Sequence, residues 1–143
     1  MIDIRIESAD WQQDQQQLIA LRTEVFVDEQ KVPVDMEIDG MDPQCLHVKA
    51  VDTQGNIVGT ARLLPNQYVG RMCVQHSHRN QGVGGSMLQY FIDYARQNRL
   101  PALMLNAQTS AQSFYQAYGF KADSKIFIEA DIEHIHMTLH LSE

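Results

Sequence analysis

Three stretches carry residues whose types and spacing could do chemistry. In the first, Arg79-Asn80-Gln81-Gly82-Val83-Gly84-Gly85 stands between an apolar run, Tyr68 to Val74, and an amphipathic run, Val83 to Asn98. That order reads as strand, glycine-rich turn and helix. Glycines at a helix start clear space and permit backbone angles that other residues resist, and the unpaired N–H groups there favour a phosphate. A Walker loop is excluded, because no lysine occurs between Lys49 and Lys121. A dinucleotide fingerprint begun at Gly82 would need glycine where Met87 stands. What remains is Arg-x-x-Gly-x-Gly.

The second stretch, Leu103 to Phe120, holds Tyr115 four residues after Ala111, so the two share a helix face. A phenol of pKa about 10 is a fair acid toward a thiolate whose thiol has pKa about 8.5, provided it is well placed. The third set is scattered. Glu29 and Asp39 in an acidic segment, His47 in a strand-like run and His134 near the end could each accept a proton from an amine. No metal is expected: His134, His136 and His140 share a strand face without an accompanying carboxylate or cysteine motif. Asp35-x-Glu37-x-Asp39-Gly40 mimics an EF-hand, but its twelfth position is Leu46.

Beside these stand Leu21 to Gln30, Ile38 to Asp42, Gly59 to Pro65 and Glu133 to Met137. Taken together the segments resemble the GNAT superfamily of acyl-CoA-dependent N-acyltransferases, in its small bacterial ElaA-like branch. The resemblance spans nearly the whole chain in the right order. It implies acetyl-CoA as acyl-donor co-substrate and no metal. Arg79, Asn80, Gln81, Gly82, Val83, Gly84 and Gly85 would hold the pyrophosphate. The pantetheine arm would lie between two splayed parallel strands and bond the backbone of Met72, Cys73 and Val74, with Asn106, Ala111 and Phe114 completing the cofactor site. Tyr115 would protonate the departing thiolate. Glu29, Asp39, His47 and His134 match the branch's pattern and are acceptor-side candidates, with the general base left open among such groups or a water chain.

The elements that must position these residues follow from pattern. Ile2, Ile4 and Ile6 alternate with polar residues as a first strand. Asp10 followed by Gln13 signals a capping box, and Trp11, Leu18, Leu21 and Val25 make a helical stripe. From Asp28 to Asp42, six acids against one lysine, broken by Pro33 and Gly40, read as a loop or a short helix with a loop. Leu46 to Ala50, Ile57 to Leu64 and Tyr68 to Val74 form an antiparallel meander. The later order, strand 68–74, helix 83–98, strand 102–106, demands a parallel pair with a crossover helix. A helix from about Ser110 to Tyr118 ends at Gly119, and Lys121 to Ala130 with Glu133 to Leu141 close the sheet as a hairpin. The expected fold is α/β: a GNAT-type mixed, mostly antiparallel sheet with a splayed parallel strand pair and helices on both faces.

A chain of 143 residues, 44% apolar and 20% charged, reads as one globular domain over 1–143. Its longest apolar runs are far below the roughly 20 residues of a membrane helix, and no signal peptide is visible. Cys45 and Cys73 lack Cys-x-x-Cys spacing and read as reduced residues of a cytoplasmic protein. The net charge of −7 excludes nucleic acid and anionic membrane as expected partners and favours a cationic ligand.

The expected activity is acyl transfer, acetyl first, from CoA to a primary amine by direct attack in a ternary complex. The acceptor would be a small-molecule amine or a lysyl or N-terminal amine, and the protein a monomer or homodimer. A non-catalytic acyl-CoA-binding module would need no Tyr115. An acyl-homoserine-lactone synthase is suggested by Val25-Phe26 with Glu37-Ile38-Asp39 and Asp42. Its expected Arg-Leu-x-Trp is missing, and Trp11 is the sole tryptophan.

Overall fold

The computed structural model describes residues 3–141. β1 (Arg5–Ala9), β2 (Leu46–Val51), β3 (Ile57–Leu63) and β4 (Val69–Val74) lie side by side in chain order, each pair antiparallel. Of the first strand's expected residues, Ile6 lies in β1, Ile4 just precedes it, and Ile2 falls outside the described residues. The second sheet is built on a long central strand. β5 (Ala102–Gln108) pairs along the whole of its length with β8 (Ile132–His140), whose other edge takes β6 (Lys121–Ala122) and β7 (Phe127–Glu129). The expected closing hairpin is therefore present, with its first arm interrupted between β6 and β7. Its turn is made by Ala130 and Asp131, both left-handed at φ +52 and +61°.

The two sheets touch at one parallel bridge, Tyr68 to Met104, where the Met104 N–H donates to the Gln67 carbonyl at 3.1 Å. Past that point β4 and β5 part. A bulge helps: Thr60 faces Cys73 and Arg62 faces Gly70, so β4 carries one residue more than β3, and Arg71 within it has φ +49°.

α3 (Val83–Gln97) crosses between β4 and β5 and fills one face of both sheets. Its stripe of Val83, Met87, Leu88, Phe91, Ile92 and Ala95 packs on Val48, Ala61, Leu103, Leu105, Met137 and Leu139. α1 (Trp11–Arg22) covers the opposite face of the first sheet with Leu18 and Leu21, and the chain continues through wide π turns from Thr23 to Glu29. Asp10 caps α1 through the Gln12 N–H at 2.9 Å, but the reciprocal bond comes from Asp14, which accepts from the Asp10 N–H, and not from Gln13. α2 (Val34–Glu37) is a single turn, and α4 (Gln112–Gln116) follows a 3₁₀ turn over Thr109–Ala111. No helix among the described residues is long and apolar enough to cross a membrane.

The acidic segment, expected as a loop or a short helix with a loop, is exposed along most of its length but buries Glu37 and Asp42. Arg22, only 1% exposed, donates from Nε to Glu37 at 2.6 Å and from both Nη atoms to Asp42 at 2.8 and 3.0 Å. Arg62 donates to Asp42 at 2.9 Å and to Asp39 at 3.0 and 2.5 Å. Arg71 closes the ring on the Glu37 carbonyl at 2.9 Å and on Asp39 at 3.3 Å. Three of the six acids thus pair with three arginines, Glu37 and Asp42 buried and Asp39 at the surface.

Removing one member strands buried charge. Arg22→Ala should cost about 3–5 kcal/mol, read as a lowered urea midpoint, because in a water-poor place Glu37 loses its side-chain donor and Asp42 keeps only Arg62. A loss under about 1 kcal/mol would mean that the network does not hold the fold. Arg62 hydrogen bonds hold Asp39 well below the ordinary carboxylate range, and the Arg22 and Arg62 guanidinium groups hold Asp42 below it against the cost of its burial. Their contribution is complete above the unfolded value of about 4 and is lost as pH falls through the lower folded values. Unfolding free energy should accordingly decline on acidification below about pH 4, and less steeply in Asp39→Asn.

Candidate active site

The divergence of β4 and β5 opens a cleft of 490 Å³. Gly70, Arg71 and Met72 of β4 line one side, and Leu105, Asn106 and Gln108 of β5 the other. Ala111 and Tyr115 come from the turn and helix after β5, His134 from β8, Glu129 from β7, and Phe26 and Gln30 from the π turns. The Gln108 side-chain amide donates to Gln30 Oε1 at 2.8 Å, tying the second sheet to the segment after α1.

At the other end of the gap lies the glycine loop. Gly82 has φ +83° and caps α3, a conformation that costs a side-chain-bearing residue strain. The first bond of the helix runs from the Ser86 N–H to the Gly82 carbonyl at 3.0 Å, so the N–H groups of Val83, Gly84 and Gly85 precede any acceptor within the helix. A Cβ on Gly84 would look toward Phe114 at 3.7 Å, Val74 at 3.9 Å and Met72 at 4.0 Å. Gly85 differs: a Cβ there would collide with the Tyr118 hydroxyl, so its role in the fold is close packing. Arg79 is braced, its Nε on the Val74 carbonyl at 2.8 Å and its two Nη on Glu29 at 2.9 and 2.7 Å. Asn80 and Gln81 form the turn between them, with Asn80 at φ +63°.

Which main-chain groups face the gap follows from strand alternation. The Gln75 N–H donates to the Val58 carbonyl of β3 at 2.8 Å, so Cys73, two residues earlier, also turns its backbone to β3, while Met72 and Val74 present theirs to the open edge. Cys73 is therefore corrected as a backbone contact. Its side chain is buried with Leu21 and Val25, and burial pushes its thiol up to about 12. Three unpaired N–H groups at a helix start fit a diphosphate, and a strand edge left free at Met72 and at the Val74 N–H, the Val74 carbonyl already holding Arg79, fits an extended, amide-bearing arm.

The titratable candidates separate. Tyr115 is half-buried at the cleft wall, stacked edge-on against Phe114 (centroids 5.0 Å apart), and burial pushes its phenol up to about 12. His134 lines the cleft with Nδ1 2.7 Å from the Ile132 carbonyl oxygen. That oxygen can only accept, so Nδ1 carries the hydrogen in the neutral ring and Nε2 keeps a lone pair. The other three acceptor-side residues are corrected. His47 is buried beneath Trp11 (rings 4.7 Å apart), with Nε2 on the Asp42 carbonyl at 2.9 Å. Asp39 belongs to Arg62, and Glu29 to Arg79 beside the glycine loop. Asn106 does line the cleft, though β5 runs two residues past it.

Several cleft residues carried no sequence signal that was read: Gln30, Tyr68, Arg71, Gln108 and Glu129. Arg71 had one, a charged residue amid an apolar strand run. Tyr68 stands where the strands part, 2.8 Å from His136 Nε2, and His136 Nδ1 meets Asp123 at 2.5 Å. No spacing in the chain announces that row.

Comparison with known proteins agrees with this geometry. The sequence model of a family described as "Acetyltransferase (GNAT) domain" matches residues 10–141. An uncharacterized N-acetyltransferase, YjcF of Bacillus subtilis, is 37% identical over 121 residues, covering 82% of this chain and 86% of its own. Among solved structures, an acyl-CoA N-acyltransferase from Pseudomonas aeruginosa superposes with TM-score 0.83 at 31% identity, over 97% of this chain and 99% of that one. ElaA of Escherichia coli superposes with TM-score 0.83 at 27% identity, over 98% and 100%.

The glycines of the loop can be told apart by substitution. Gly84→Val should leave the urea midpoint close to wild type, since its Cβ meets only ordinary contacts, yet fill the space in front of the helix N–H groups and reduce CoA affinity at least tenfold by calorimetry. Gly85→Ala should instead lower stability through Tyr118. Unchanged CoA affinity in Gly84→Val would remove the loop from the phosphate site.

Proposed function

The chain belongs to the GNAT acetyltransferase family, and from that premise we propose that it moves an acetyl group from acetyl-CoA to a primary amine by direct attack within one ternary complex. The observation that carries the reading is the parting of β4 and β5 past Tyr68 and Met104, which opens the cleft that holds Met72, Tyr115 and His134. The glycine loop follows β4, and a Cβ on Gly84 would look toward Met72, Val74 and Phe114 beside the unpaired helix N–H groups. Arg79, Asn80, Gln81 and Gly82 shape the phosphate end; Met72 and Val74 bond the arm; Asn106, Ala111 and Phe114 flank it.

Bound acetyl-CoA would supply an electrophilic acyl carbon and a thiolate leaving group. The residues of the chain do the rest. The cleft holds the amine beside the acyl carbon, which replaces a bimolecular encounter by a positioned one. His134 Nε2 takes the proton that the amine nitrogen must lose as its bond to carbon forms. The C–S bond breaks, its electron pair stays on sulfur, and the Tyr115 hydroxyl hydrogen-bonds that sulfur as charge appears. The acceptor is a small-molecule amine or a lysyl or N-terminal amine, the working unit one domain as monomer or homodimer. A cytoplasmic setting agrees with the free thiols Cys45 and Cys73.

Thiol release from acetyl-CoA across a panel of amines tests the activity. On the best amine, Tyr115→Phe should lower turnover about 10²–10³-fold with CoA affinity nearly unchanged, because the lost bond is made as sulfur leaves. His134→Asn should cost about 10²–10⁴-fold. Full turnover in Tyr115→Phe would make Tyr115 a packing residue, and full turnover in His134→Asn would leave the proton to water.

A further inference from the structure

The net charge pointed to a cationic ligand, but the cleft carries the opposite signal on one wall. Arg22, Arg62 and Arg71 face Glu37, Asp39 and Asp42, three charges against three, so the network is neutral within itself. Its hydrogen bonds do not use every donor. Arg62 is 3% exposed, and its Nε is the one buried side-chain polar atom among the described residues without a hydrogen-bond partner. Natural structures leave such groups unpaired only with a reason. Arg62 lines the cleft, and its buried Nε lies just behind Gly70, where a built Cβ would stand 4.0 Å from it, so the glycine leaves no side chain between that N–H and the cleft.

Arg71 adds a second donor. Its Nε and Nη2 hold the Met36 and Glu37 carbonyls and Asp39, so its Nη1 is left over from the network. It stands at φ +49° in the bulge of β4, a left-handed conformation that a side-chain-bearing residue keeps only when its surroundings insist. Burial and the neighbouring Arg62 guanidinium both disfavour its charge, so an arriving anion would relieve it. Facing these arginines across the cleft are His134 and, on the exposed rim, Glu129.

We propose that the cleft takes acceptors that carry a carboxylate a few bonds from the amine, amino-acid-like molecules held by Arg62 Nε and Arg71 Nη1 at the anionic end. The amine end then points to His134, with Glu129 complementing its ammonium form on entry. This rests on the cleft being the acceptor site of an acetyl transfer. A carboxylate suits the pair because guanidinium N–H groups bind its two oxygens directionally, whereas a primary amide of the same shape offers one acceptor and one N–H donor, so one of the two arginine donors would face another donor.

The experiment compares matched pairs, β-alanine with β-alaninamide and glycine with glycinamide, by thiol release from acetyl-CoA. Wild type should favour the acid in kcat/KM by about tenfold or more once each amine's free-base fraction is counted, and Arg71→Gln should shrink that ratio by about 10-fold or more. A ratio near one, or one unmoved by Arg71→Gln, overturns the proposal. Because Arg71 also braces α2, the wild type is tested separately. Propionate and succinate should inhibit competitively against the acceptor where 1-propanol does not, and absence of that competition overturns it as well. If no amine releases thiol, acetyl transfer itself fails. Calorimetric titration of the same carboxylates into wild type then still decides the anion site, binding supporting it and no binding removing it.

Discussion

A buried guanidinium–carboxylate network is the constraint on which the rest of the structure depends. Taking Arg22, Glu37 and Asp42 out of water costs several kcal/mol per ion, and only near-complete pairing offsets it. The geometry meets that demand, with bonds of 2.6 to 3.0 Å from Arg22 alone. Its consequence is positional. Arg22 sits at the end of α1, Glu37 ends α2, and Arg62 and Arg71 rise from β3 and β4. Pairing them pins the irregular segment from Thr23 to Asp42 against the sheet, and that segment supplies Phe26, Gln30, Val32 and Met36 to the cleft. An apolar substitute could hold the segment as firmly, but it would leave no N–H directed at the cleft.

The second constraint is the bulge in β4. In a regular strand Val69 and Cys73, four residues apart, would point to the same face. Here Val69 packs in the core beneath α3 while Cys73 packs with Leu21 and Val25 under α1. The extra residue at Arg71 reverses the alternation, bends the strand, and lets β4 leave β5 after their single bridge at Tyr68 and Met104. Splay, Arg71 direction and the open edge at Met72 and Val74 are one structural event.

Much of this was legible in the chain, and what was missed has a physical cause. The strand–loop–helix around Gly82 and the apolar stripe of α3 were plain, because local periodicity and glycine chemistry act over few residues. The mixed sheet with its parting strands followed from the order of elements and from family resemblance. The pairing of the acidic segment was not legible, since composition cannot say where partners lie: Arg22 and Arg62 are 15 to 20 residues or more from the acids they bind. His47 and Asp39 failed as acceptor-side residues for the same reason, each being claimed by that network. Cys73 failed by one register step, which only the Gln75 to Val58 bond reveals. The row Tyr68–His136–Asp123 joins residues 68 and 13 positions apart, beyond any local signal.

Proton movement in the cleft is limited by one magnitude. Burial holds the Tyr115 phenol at about 12, against about 8.5 for a free thiol. Complete transfer from phenol to thiolate would then run uphill by about 5 kcal/mol, at 1.36 kcal/mol per unit. Tyr115 therefore serves the proposed reaction better as a hydrogen-bond donor than as an acid that gives up its proton outright. The same apolar wall that raises the phenol also raises the thiol, which narrows the gap and strengthens the bond between them. The proton that finally neutralises sulfur need not come from Tyr115 at all. In the proposed reaction His134 would acquire one when the amine attacks, and its bond to the Ile132 carbonyl leaves Nε2 as the atom that would release it. In the proposed reaction Tyr115 and His134 would thus divide the work: one would steady charge on sulfur without changing protonation state, and the other would carry the proton.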